Sequence, residues 1–84
     1  MTESEVLEAL KDLLADQLAV DRATIKEESL IADDLGADSL DMAELGMAIQ
    51  EQFKQELSDT EIANVKTVGD LVQLLSLRVN SGVA

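Results

Sequence analysis

The stretch that decides the fold is Asp38-Ser39-Leu40-Asp41-Met42-Ala43-Glu44-Leu45-Gly46-Met47-Ala48-Ile49-Gln50-Glu51-Gln52-Phe53. At about 100° per residue, Met42, Leu45, Ile49 and Phe53 gather on one side, with Gly46 at its edge. That is the stripe of a helix resting one face on a core. Asp38 or Ser39 supplies the N-cap, and the helix runs to about Phe53. Leu40 and Met47 fall on the opposite side, beside Glu44 and Glu51 with Asp41 nearby. A single exposed apolar residue is ordinary. Two of them, two turns apart and ringed by carboxylates, predict a docking face, and a methionine there suits several partners.

Upstream, Thr2-Glu3-Ser4-Glu5 reads as a capping box, and Val6, Leu7, Leu10, Leu13, Leu14 and Leu18 recur at helical spacing. The first helix therefore spans residues 3 to 18. Residues 19 to 37 carry no sustained period. Such a long loop needs its own apolar anchors, for which Val20, Ile25, Leu30, Ile31 and Leu35 are the candidates. Downstream, Ser58-Asp59-Thr60-Glu61 is a second capping box, opening a short helix with Ile62 and Val65. Thr67 caps a fourth helix striped by Val68, Leu71, Val72, Leu75 and Val79, with Leu74 near its edge. Arg78 suits the negative end of that helix, and Asn80, Ser81 and Gly82 end it, leaving the last residues loose. The expected fold is all-α: a small four-helix bundle, three main helices plus one short one, with a long loop between helices one and two. Residues 1-84 read as a single domain.

Composition narrows the function. The 84 residues hold one aromatic, Phe53, and no Cys or His. Without those two residue types, the usual nucleophile–base pairs and thiolate or imidazole metal sites cannot be assembled, so neither an enzyme nor a metal centre is expected. A formal net charge of −12 disfavours nucleic acid and anionic membrane and favours basic partners. The acidic N-terminus is unlike a signal peptide, and no segment has transmembrane length. The expectation is a cytoplasmic monomer with no stable membrane insertion.

Ser39 stands at a helix start after a Gly-containing turn, where unpaired N–H groups and the helix dipole favour a phosphate. On local grounds alone, a plain N-cap is the commoner role for such a serine. Eight carboxylates lie from Glu27 to Phe53, with no Lys or Arg between Lys26 and Lys54. That one-sided charge either makes a solvated face or steers a basic partner. The run lacks the ligand spacing of an EF-hand calcium loop.

The string Asp33-Asp34-Leu35-Gly36-Ala37-Asp38-Ser39-Leu40-Asp41, followed by Glu44-Leu45, resembles the signature of bacterial acyl carrier proteins. Leu18, Val20, Ile25, Phe53 and Lys66-Thr67-Val68 extend the resemblance over about residues 3 to 77. It implies a covalent 4′-phosphopantetheine arm on Ser39, installed from coenzyme A by a Mg²⁺-dependent phosphopantetheinyl transferase. The arm's thiol would hold acyl groups as thioesters, which accounts for a carrier without cysteine. The resemblance also implies a partner-binding face of Asp38, Leu40, Asp41, Glu44, Met47 and Glu51, with Leu57 and Asp59 near helix three. Fatty acid or polyketide synthase enzymes with basic docking patches would read that face. The acyl chain would lie against Leu45, Gly46, Leu57 and Ile62.

Three departures stand out. Gly46 replaces the family's usual branched apolar residue, Leu30-Ile31 a common Ser-Phe pair, and Leu57-Ser58 a frequent Ile-Pro. Gly46 is expected to widen the acyl pocket or loosen helix two. The leading reading is a carrier for fatty acid biosynthesis. The alternatives are a specialised carrier for polyketide, lipid A or other secondary-pathway acyl groups, and an unmodified acidic interaction module.

Overall fold

A computed structural model describes residues 2–81. Four helices follow in order: α1 (Glu3–Leu18), α2 (Ser39–Phe53), α3 (Asp59–Asn64) and α4 (Val68–Ser81). A 3₁₀ turn, Arg22–Thr24, interrupts the long connection between α1 and α2. The all-α bundle expected from the apolar stripes is the architecture observed. Gly82 and the residues after it lie outside the described residues.

Each helix begins where its side chains can replace missing backbone partners. Thr2 Oγ1 accepts from the Glu5 N–H at 3.1 Å, and the Glu5 carboxylate accepts from the Thr2 N–H at 2.8 Å. Ser58 and Glu61 exchange the same pair at 3.1 and 3.0 Å. Thr67 and Asp70 do so at 3.0 and 3.1 Å. These contacts satisfy N–H groups that the first turn of a helix leaves unpaired. At the other end of α1, Ala19 adopts the left-handed conformation, φ 56°. An L-residue there costs about 1–2 kcal/mol, which glycine avoids apart from its larger entropy loss. Ala19→Gly is therefore expected to stabilise the fold by about 0.5–1 kcal/mol, raising Tm by roughly 2–8 °C in a thermal melt.

The core joins Val6, Leu10 and Leu14 of α1 to Leu45, Ile49 and Phe53 of α2 and to Val68, Leu71 and Leu75 of α4. Helix α3 buries none of its residues. It is tied to the bundle by Arg78 of α4, which pairs with Glu61 and donates to the Glu56 carbonyl at 3.0 Å. Arg78 thus pins a neighbouring segment, a role its position near the end of α4 does not reveal.

The long connection is ordered by its own buried Ile25, Ile31, Leu35 and Ala37. It also wraps the start of α4: the Val68 N–H donates to the Ser29 carbonyl, and the Gly69 N–H to that of Glu27. Leu30 corrects the anchor set read from sequence. It pairs through its backbone with Thr67, and its side chain stays exposed. Successive residues of an extended segment face opposite ways, so burying Ile31 turns Leu30 outward.

Candidate functional site

The start of α2 resolves the choice of cap. Asp38 is the N-cap: its Oδ1 accepts from the Asp41 N–H at 2.9 Å, and Asp41 Oδ2 accepts from the Asp38 N–H at 3.1 Å. Ser39 is the first residue of the helix proper and is exposed. Among the described residues, its hydroxyl has no hydrogen-bond partner. The hydroxyl is therefore free of any capping duty, and it stands at the positive end of the helix dipole.

Ser39 also borders a cavity of about 640 Å³. Met42, Ala43, Gly46, Met47 and Gln50 of α2 form one wall. Leu57, Asp59, Ile62, Ala63, Val65 and Lys66 line it from α3 and its flanks, and Leu30 to Asp33 of the long connection complete the lining. Of the residues expected to meet an acyl chain, Gly46, Leu57 and Ile62 lie in this lining. Leu45 does not. One residue turns a helix by about 100°, which carries Leu45 away from the cavity and into the core at 1% exposure. Sequence reasoning missed Ala43, Gln50 and Ala63. Ala43 and Gln50 stand three before and four after Gly46, on the same helix face. Ala63 is found only once α3 is placed.

The outer face of α2 presents Leu40 at 68% and Met47 at 64% exposure. Asp38, Glu44, Glu51 and Asp59 are exposed around them, whereas Leu57 is half-buried. Asp41 is half-buried and occupied by the cap. Met47 belongs both to this face and to the cavity lining. The ion pairs among the described residues lie elsewhere: Arg22 with Glu8 and Asp12, Lys11 with Glu8, and Arg78 with Glu61. The carboxylates of α2 are thus left without cations and project negative charge toward solvent.

The titration shifts belong to the scaffold. Backbone N–H groups of Thr67 and Lys66 hold the Asp70 carboxyl below its ordinary value of 3.8. The Ser58 N–H, then Arg78, lower Glu61 against an opposing effect of burial. A carboxyl depressed by folding stabilises the fold above its unfolded pKa and loses that contribution as pH falls through its folded one. The Tm deficit of Asp70→Asn is therefore expected to be full at pH 7 and to shrink below about pH 3.8, followed by thermal melts across that range.

Among the described residues, no cluster of three or more His, Cys, Asp or Glu is arranged to hold a metal ion. No helix there is long and apolar enough to cross a membrane.

Residues 8–75 match the family model described as a phosphopantetheine attachment site. The chain is 51% identical to an acyl carrier protein of Clostridium acetobutylicum over 70 residues, covering 83% of this chain and 91% of that one. It is 44% identical to an acyl carrier protein of Thermosynechococcus vestitus over 79 residues, covering 94% and 98%. The solved acyl carrier protein of Enterococcus faecalis shares the fold with a TM-score of 0.77 at 27% identity, covering 93% of this chain and 99% of that one. The chain belongs to the acyl carrier proteins, non-enzymatic carriers built around a covalently attached 4′-phosphopantetheine.

Proposed function

We propose that Ser39 is the attachment point and that the chain carries acyl intermediates for fatty acid biosynthesis. The observation that carries this reading is the division of roles at the head of α2. Asp38 caps the helix, and Ser39 keeps a free, exposed hydroxyl at the border of a largely apolar cavity. These residues fit a phosphodiester at Ser39, because the first-turn N–H groups of Ser39 and Leu40 have no partner among the described residues.

In the loading step, Ser39 Oγ forms a bond to the pantetheine-side phosphorus of coenzyme A. The phosphoanhydride bond breaks, adenosine 3′,5′-bisphosphate leaves with the bridging oxygen, and the serine proton passes to a base of the transferase or to solvent. The attached group supplies a thiol that holds acyl chains as thioesters. The chain's own residues then present and shelter the cargo. Asp38, Leu40, Asp41, Glu44, Met47 and Glu51 form the face that basic patches of the transferase and synthase enzymes read, with Leu57 and Asp59 beside it. Steering by charge favours fast, reversible encounters. Burial in the cavity contributes at most about 0.8 kcal/mol per methylene. In this reading residues 1-84 are one carrier domain acting as a cytoplasmic monomer.

A second reading, a specialised carrier, is favoured by one observation: Gly46 leaves the α2 wall of the cavity without a side chain. Intact-mass measurement after incubation with coenzyme A, Mg²⁺ and a transferase tests the common core. One added arm at Ser39, followed by elongation with fatty acid synthase enzymes, is expected. No mass gain overturns the carrier reading, and loading without elongation overturns the pathway in favour of the specialised carrier.

A further inference from the structure

Helix α3 borders the cavity without being anchored in the core. Asp59, Ile62 and Ala63 line the cavity from it, and none of its residues is buried. Six residues are too few to make a stable helix alone, so α3 keeps its place through its contacts. Its flanks, Leu57 and Val65, are partly buried against the core. Toward α2, Ile62 lies over Gly46: a Cβ built there would meet Ile62 Cδ1 at 3.6 Å. Position 46 offers Ile62 no side chain to interlock with, so this hold is weak.

Arg78 of α4 supplies the polar hold. Its guanidinium pairs with Glu61 and donates to the Glu56 carbonyl at 3.0 Å, gripping α3 and the segment before it at once. Glu61 has two duties. Its Oε1 accepts from the Ser58 N–H at 3.0 Å, closing the capping box, and its Oε2 accepts from Arg78. The carboxylate that starts α3 is therefore also the one that docks it. A surface ion pair is weak alone, yet it counts where the helix it holds buries nothing. Glu56, Glu61 and Arg78 do not line the cavity, so they act on its contents only through the position of α3.

We propose that Arg78 is a positioning residue for cargo shelter, a latch that holds α3 closed along the cavity and whose release exposes the acyl chain. With both contacts broken, α3 can move on its flanks while α1, α2 and α4 keep their shared core. Arg22 provides a matched contrast. It pairs with Glu8 and Asp12 of α1, and none of the three lines the cavity. The cargo half of this inference rests on Ser39 bearing the arm.

The test compares wild type with Arg78→Ala, Arg78→Lys, Glu61→Gln and Arg22→Ala. In the unloaded chain, amide hydrogen exchange is followed by NMR at Ile62 and Val65, whose N–H groups donate to the Ser58 and Ile62 carbonyls. The buried Leu10, Ile49 and Leu75 serve as references in the other three helices. Arg78→Ala should speed exchange at Ile62 and Val65 by about three- to tenfold and leave the references unchanged. The chains are then loaded from acetyl- or octanoyl-coenzyme A, with intact mass reporting loading at Ser39. Hydroxylamine cleavage of the octanoyl thioester should quicken in Arg78→Ala by a similar factor. That of the acetyl thioester, which has no methylene to bury, should not change. Arg78→Lys keeps the charge without the two-pronged reach and should fall between. Glu61→Gln leaves a side chain able to close the capping box but removes the charge that Arg78 pairs with. It should behave like Arg78→Ala and carries the test if that variant fails to fold. Arg22→Ala should match wild type in both readouts. Unchanged exchange at Ile62 and Val65, equal acceleration in all four helices, unchanged octanoyl cleavage, or the same effect from Arg22→Ala overturns this inference alone. Absence of loading at Ser39 overturns the carrier reading and this inference with it.

Discussion

Ser39→Ala is expected to abolish arm attachment outright while changing the stability of the unloaded chain by no more than about 0.5 kcal/mol. The Ser39 side chain is exposed and its hydroxyl is unpaired among the described residues, so its removal breaks no contact there. Alanine is also the better helix former at an exposed helical position. Asp38→Ala should behave in the opposite way. It removes the acceptor for the Asp41 N–H and should cost about 1 kcal/mol, the usual size of a lost N-cap. Intact mass and thermal melts on the two variants separate the roles. If Ser39→Ala still gained the arm, attachment would lie elsewhere. If it melted far below wild type, the hydroxyl would have a structural duty after all.

Leu45→Ala is expected to have the largest effect on stability, about 2–5 kcal/mol, because a fully buried leucine loses its packing and leaves a void. Total stabilities of small domains are about 5–15 kcal/mol. The variant should therefore melt many degrees lower or be partly unfolded at room temperature. In chains that remain folded, its protection of a thioester-bound acyl chain from hydroxylamine should match wild type, because Leu45 faces the core and is absent from the cavity lining. Altered protection without a stability loss would return Leu45 to the acyl site.

The adjacent pair Leu45 and Gly46 shows what could be read from the chain and what could not. The helices were legible because their stripes and capping boxes are local. The span of residues 3 to 18 drawn from Thr2-Glu5 and the leucine repeat coincides with α1. The face of Leu40 and Met47 was legible for the same reason, since a wheel needs only sequence. The choice between Asp38 and Ser39 as cap was not, because either side chain can reach the same N–H group and backbone angles decide. Leu30 was misplaced because its loop pairs with Thr67, a partner 37 residues away that no local pattern announces. The cavity was least legible. Its second wall depends on where Arg78 holds α3, and that contact spans 17 residues to Glu61.

Because Asp38 and not Ser39 closes the first turn of α2, the Ser39 hydroxyl rides on the helix without being a part of its cap. With the arm on Ser39, as proposed, folding and cargo handling would be decoupled. Loading would leave the Asp38–Asp41 cap untouched, so a transferase would meet a finished surface and need not melt it. Removal of the arm would likewise leave a chain ready to be charged again. On that reading one pool of molecules would pass through repeated rounds of charging and discharge, with its lifetime set by the core and not by how often it has been used.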